Sequence, residues 1–216
     1  MPGQAIAAPA AGSDNAAAGR AGAAMLLPGF DDAVTSAQRT FRAALDAMSR
    51  PGSVRELHEP CGVPHGLSPA LSALLLTLVD ADTPLWLPPG TPAAVRAFLR
   101  FHCGCPLVDE VARAVFVAVP AGHAAPDLAD CAQGDPAYPD RSATLLLEVA
   151  SLANGPAATL RGPGIEHEAT LRAQGLPAAF WTQWRDNHAR FPLGVDVLLT
   201  SGHALSALPR TTQVEA

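Results

Sequence analysis

Val115-Phe116-Val117-Ala118-Val119 runs five residues without a polar side chain. A strand with one wet face alternates apolar and polar residues, so an unbroken apolar strand needs cover on both faces. Thr144–Val149 and Val195–Thr200 read almost the same way. Three interior strands of a mainly parallel sheet, with helices packed on both faces, are therefore expected. Working outward, Asp31 or Asp32 can cap a helix in which Val34, Ala37, Phe41, Ala44, Leu45 and Met48 recur at three- and four-residue steps, the pattern of a core-facing stripe. Arg50-Pro51-Gly52 ends it. Ser53–His58 reads as a short strand, Leu67–Val79 as a buried helix and Pro84–Leu87 as a strand. Thr91 is placed to cap a helix with Pro92 at its first position, running to about Phe101. Ala157–Leu160 and Ala204–Leu208 are weaker strands, and Pro177–His188 carries Phe180, Trp181 and Trp184 at helical spacing. The order argues one α/β domain over residues 26–216, with a mixed, mainly parallel sheet in three layers. Ala121–Arg141, rich in Pro, Gly and Asp, is its one long loop, a place where function often sits.

The 216 residues are 49 % apolar and 16 % charged, which excludes a disordered chain. A net charge of −6 and an aromatic share of 5 % argue against a nucleic-acid surface. All 14 basic residues are arginine. Without lysine there can be no Schiff base to pyridoxal phosphate, no Walker A loop and no kinase-type lysine. Any anion must be held by arginine or backbone amides. Residues 1–25 open with eleven alanines and four glycines in the first 24 and are expected to be a disordered tail. The tail has neither a basic nor an apolar signal region, and no run is long enough to span a bilayer. A cytoplasmic protein with reduced thiols is expected.

Five local features could carry chemistry. His102-Cys103-Gly104-Cys105 is the most metal-like, but C-x-C is not the usual chelate spacing and no second pair follows, so structural thiols and a helix-terminal histidine are the favoured reading. Gly162-Pro163-Gly164-Ile165 could offer amides to a phosphate, although the proline removes one and a tight turn suits it better. Asp140-Arg141, just ahead of an interior strand, could pair or grip an anion. Asp196 stands in the apolar run Gly194–Leu199, where a carboxylate must be paired, hydrogen-bonded or neutralised. Arg210-Thr211-Thr212 offers a guanidinium and two hydroxyls. From the residues alone, a stand-alone enzyme with Asp196 as acid/base and Arg141 or Arg210 as anion clamp stays open, as does a thiol or zinc module on His102, Cys103 and Cys105. No nucleophile elbow, zincin helix or phosphate loop is present, and no metal or cofactor is expected.

Longer strings carry a resemblance. Gly29-Phe30-Asp31 leads to Gln38-Arg39-Thr40-Phe41-Arg42 and Ala47-Met48-Ser49-Arg50-Pro51-Gly52. Leu74–Asp80, Thr83–Leu87, Phe101-His102 and Pro106-Leu107-Val108 follow, then Tyr138-Pro139-Asp140-Arg141-Ser142, Gly162-Pro163-Gly164-Ile165, Phe191–Asp196 and Pro209-Arg210-Thr211-Thr212. Together, in collinear order from about residue 28 to 215, they resemble the H subunit of the bacterial carbon–phosphorus lyase core complex, which breaks down phosphonates. The resemblance implies a fold like the large domain of pyridoxal-phosphate-dependent transferases without the cofactor, a homodimer in isolation, and G, I and J subunits as partners. It also implies a role in forming ribose 1-phosphonate 5-triphosphate from ATP and alkylphosphonate. No catalytic residue carries over. His102, Asp140, Arg141, Gly162, Gly164, Asp196 and Arg210 are the candidate ligand- or partner-binding residues.

Overall fold

The computed structural model describes residues 26–216; the expected tail over 1–25 lies outside them. In chain order the elements are α1 (Ala33–Ser49), β1 (Arg55–Glu56), α2 (Pro69–Leu78), β2 (Leu85–Trp86), α3 (Ala93–His102), β3 (Leu107–Val108), β4 (Phe116–Val119), β5 (Thr144–Glu148), β6 (Ala157–Arg161), β7 (Ala169–Arg172), α4 (Phe180–Ala189), β8 (Asp196–Ser201), β9 (Ala204–Leu208) and β10 (Gln213–Glu215). The three apolar runs become β4, β5 and β8, adjacent and parallel in a seven-stranded sheet of order β1-β9-β8-β5-β4-β2-β3. β2 extends the parallel set on both sides, to β4 and β3, whereas β9 and β1 pair antiparallel beyond β8. A mixed, mostly parallel α/β sheet results.

Alternate residues of these strands feed two separate cores. Ala118, Leu146 and Leu198 face α1, α2 and α3, where Leu71, Leu74, Leu75, Phe98 and Leu99 pack. Val117, Val119, Leu145, Leu147, Val197 and Leu199 face the opposite way. Cover on both faces is as the runs demanded, but the second cover is only partly helical. It is chiefly an antiparallel sheet of order β10-β6-β7, whose Leu160, Leu171 and Val214 meet α4 through Phe180 and Trp184. The Trp184 indole donates to the Thr212 carbonyl at 2.9 Å, and the buried Asn187 amide brackets Val195, bonding its carbonyl at 2.9 Å and its N–H at 2.8 Å. Two hydrogen-bonded tethers therefore fix α4 to the strands beside it. The expected long loop over Ala121–Arg141 holds two single 3-10 turns, Leu128–Asp130 and Pro139–Arg141.

Two local expectations are corrected. Thr91 caps nothing: its hydroxyl donates to the Pro88 carbonyl at 2.7 Å, and α3 begins at Ala93 with no side-chain cap. The second correction concerns α1. Asp32 does cap it, accepting from the Thr35 N–H at 3.0 Å. Its inward face, however, is Ser36, Thr40, Ala44 and Ala47, and Val34, Phe41 and Leu45 are exposed. Small side chains let α1 lie close against α2 and β9, and larger ones at those positions would force it away. Of the apolar set read as a core stripe, only Ala44 is buried.

The two environments separate in a stability measurement. Leu146, fully buried in β5, should cost about 2–5 kcal/mol when changed to Ala. Phe41→Ala on exposed α1 should change the isolated protein by no more than about 0.5 kcal/mol, read from urea midpoints.

Candidate functional site

Asp196 opens β8 and Arg210 follows β9, and the pairing of β8 with β9 brings the two side chains together. The guanidinium has five N–H groups, and every one is engaged. Nε donates to Asp196 Oδ1 at 3.1 Å, and one Nη2 bond goes to Asp196 Oδ2 at 2.5 Å. The other Nη2 bond goes to Ser142 Oγ at 2.5 Å. Nη1 donates to the carbonyls of Pro139 at 2.9 Å and Pro192 at 3.4 Å. Asp196 Oδ1 also accepts the backbone N–H of Arg210 at 2.8 Å. The side chains are only 14 % and 17 % exposed, so water screens the pair little. The strand carboxylate is thus paired as the sequence demanded. This arrangement is a clasp: it has no N–H left for an anion.

Around the clasp lies a groove of about 410 Å³ walled by Met48, Pro139, Phe191, Pro192 and Pro209, with Asp140, Asp196, Arg210 and Thr211 at its polar edge. Asp140, Asp196 and Arg210 therefore meet in one place. Gly162 and Gly164 form the turn behind it, closed by the Ile165 N–H on the Gly162 carbonyl at 3.1 Å. Both have positive φ, 135° and 81°. A Cβ on Gly164 would stand 2.0 Å from the Ser49 carbonyl, and one on Gly162 2.9 Å from that of Thr211. The glycines are needed for this close approach to the end of α1 and to the chain after β9. Arg141 stacks its guanidinium 4.1 Å above the exposed Tyr138 ring beside the groove.

His102 stands outside this set. Its Nε2 lies 2.9 Å from the Leu27 carbonyl and its ring packs against Phe98 and Phe101, pinning the entering chain to α3. Its neighbour Cys103 donates a weak bond to the Leu75 carbonyl at 3.7 Å, and burial pushes that thiol up to about 12. Burial likewise pushes Cys131 up to about 12. Protonated thiols are poor nucleophiles and poor metal ligands. Among the described residues no group of three or more His, Cys, Asp or Glu is placed to hold a metal.

Sequence reading overlooked Glu148, counted inside an apolar run. It ends β5 on the side where parallel α/β sheets usually place ligands, and its Oε2 accepts the Ser68 N–H at 3.3 Å, at the start of α2. Burial raises its pKa above 4.5, the Ser68 bond opposing. The signal was present: one carboxylate closing a run of leucines has to find a partner.

Several known proteins resemble the chain. The family model described as bacterial phosphonate metabolism protein (PhnH) matches residues 28–215. A Rhizobium meliloti (strain 1021) protein, alpha-D-ribose 1-methylphosphonate 5-triphosphate synthase subunit PhnH, is 38 % identical over 187 residues, 86 % of this chain and 94 % of that one. A putative C-P lyase subunit protein HtxG of Stutzerimonas stutzeri is 36 % identical over 180 residues, 82 % of this chain and 85 % of that one.

Two measurements test this geometry. Asp196→Asn leaves the guanidinium without its counter-charge and should cost about 3 kcal/mol in chemical denaturation. For Glu148, a raised folded pKa means that the folded state holds the proton more tightly. Its contribution is therefore greatest below pH 4.5 and is lost as pH rises through the folded pKa. Glu148→Gln should flatten the stability profile across that window and be at least as stable as the wild type at pH 7.

Proposed function

The chain belongs to the PhnH family of bacterial phosphonate metabolism proteins, and from that premise we propose that it serves as a subunit of a ribose phosphonate triphosphate synthase in phosphonate catabolism. The observation that carries this reading is 38 % identity to a synthase subunit over 94 % of that subunit's length. In the proposed reaction, the assembled complex puts an alkylphosphonate oxygen in place of adenine on the ribose of ATP. The chain's role there is structural: it completes the complex and positions its neighbours.

The geometry supports a non-catalytic role. Arginines are the cations available for phosphate or phosphonate, and the one in the groove has all its donors engaged. Asp196 is held by that same arginine. The further partners proposed are the G, I and J subunits, with a homodimer when the chain is alone, in the cytoplasm. No helix among the described residues is long and apolar enough to cross a membrane. A kinship of the sheet with the large domain of pyridoxal-phosphate-dependent transferases is proposed too. The chain cannot hold that cofactor covalently, since it has no lysine.

Deletion of the gene should abolish growth on methylphosphonate as sole phosphorus source and leave growth on phosphate intact. The purified chain should leave ATP and methylphosphonate unchanged, and adding it back should restore turnover to a complex prepared without it. Turnover by the chain alone would replace this reading with the enzyme one.

A further inference from the structure

α1 carries two stripes that point in different directions. Ser36, Thr40, Ala44 and Ala47 face its own protein. Val34, Gln38, Phe41, Leu45 and Met48 follow steps of four, three, four and three residues, the spacing of a coiled-coil seam. At about 100° per residue the two stripes sit roughly a third of a turn apart. Val34 is 69 %, Phe41 47 % and Leu45 52 % exposed. Met48, at the end of the seam, is also a wall of the groove beside the clasp, where Phe191 is 58 % exposed. Seam and groove thus form one continuous apolar strip, about 20 Å of it along the helix.

Charge indicates what covers it. Arg42, exposed and one residue past Phe41, flanks the seam. Arg42 makes no ion pair among the described residues, whereas Arg39, farther round the helix, lies 3.7 Å from Glu59. The carboxylate on that flank, Asp46, is taken by Arg50 and Arg55. A basic edge on a chain of net charge −6 is selective for an acidic neighbour. A second copy fits poorly. A two-fold axis through the middle of the seam, at Phe41, sets Arg42 against Arg42 of the copy, and like charges so placed repel.

We propose that the exposed seam of α1 and the adjoining groove dock an amphipathic helix of another subunit of the synthase, one with an apolar seam and an acidic residue on the flank that meets Arg42. The proposal rests on the subunit reading and adds the surface and the chemistry of its partner.

The test is co-expression of the full chain with the other synthase subunits of the same organism, one of them tagged, with Phe41→Arg, Leu45→Arg and Arg42→Glu as variants. All three residues are exposed, so each variant alone should keep the wild-type circular dichroism and melting temperature. The wild type should co-purify in fixed stoichiometry. Phe41→Arg and Leu45→Arg should each lower the recovered complex more than about tenfold, as expected for a hot spot. Arg42→Glu should lower it less, and the deficit should shrink as salt is raised. Recovery of the two apolar-to-Arg variants at wild-type stoichiometry overturns the surface and leaves the subunit reading standing. Loss of self-association in Phe41→Arg, with the other subunits still bound, overturns it in favour of a second copy. Failure of the wild-type chain to co-purify at all overturns the subunit reading and this proposal together.

Discussion

Five N–H groups of one arginine hold four segments of this molecule in place. Arg210 joins the start of β8, the turn at Pro139–Ser142 that leads into β5, the Pro192 loop and the chain leaving β9. β5, the central strand of the seven-stranded sheet, and β8 beside it pair in parallel, registered Thr144 to Asp196, so the clasp secures the end at which both interior strands begin. Only a guanidinium could do this. Its planar fork meets the carboxylate with two parallel bonds and still presents three donors elsewhere, whereas an ammonium offers three donors in all. The same saturation removes the site's capacity to bind an anion. A residue that looks like a phosphate grip in the sequence is spent on the fold, and the groove around it is left with prolines, Phe191 and Met48 as its working surface.

The interior was legible because it obeys a strict rule. A strand with no polar alternation has to be covered twice, and β4, β5 and β8 are, with the boundaries read from Phe116, Thr144 and Asp196 within a residue. What covers them was only half legible. The α2 helix was legible as the leucine-rich run Leu67–Val79, against Pro69–Leu78 in the structure. The second cover was not, since β7 and β10 are short strands with polar residues such as Thr170, Gln213 and Glu215, held by pairing to β6 more than by any pattern of their own. Of the candidate site, the sequence offered Asp196 with Arg141 or Arg210 as one possible pair and Asp140 beside Arg141; the β8–β9 pairing selects Arg210, whose guanidinium bonds the Pro139 carbonyl and so brings in the turn that carries Asp140. Glu148 was hidden by the apolar run it ends.

α1 shows why periodicity alone misassigned a face. An apolar stripe at helical spacing ordinarily points to the core, yet here the inward residues are Ser36, Thr40, Ala44 and Ala47. Close packing needs small side chains, and small side chains carry little hydrophobic signal. The louder stripe was read as core because it is apolar; the docking proposed above would put its cover outside the chain's own fold. Burial is a property of the assembled state, so a pattern that contradicts the monomer can be consistent with a complex.

The seam of α1 is also not uniformly apolar. Gln38 sits in it between Val34 and Phe41, where an apolar residue would give a stronger contact. A polar side chain at a seam position weakens the association and in return fixes its register, because it must find a hydrogen-bonding partner when it is buried. A partner helix lacking one would leave the Gln38 amide unsatisfied, as would the right helix shifted by a turn. At the proposed interface, selection against wrong partners would act at two levels: the uncovered amide within the seam and Arg42 at its edge. In the proposed docking, the apolar strip, one amide and Arg42, unpaired among the described residues, are the features that would choose a neighbour.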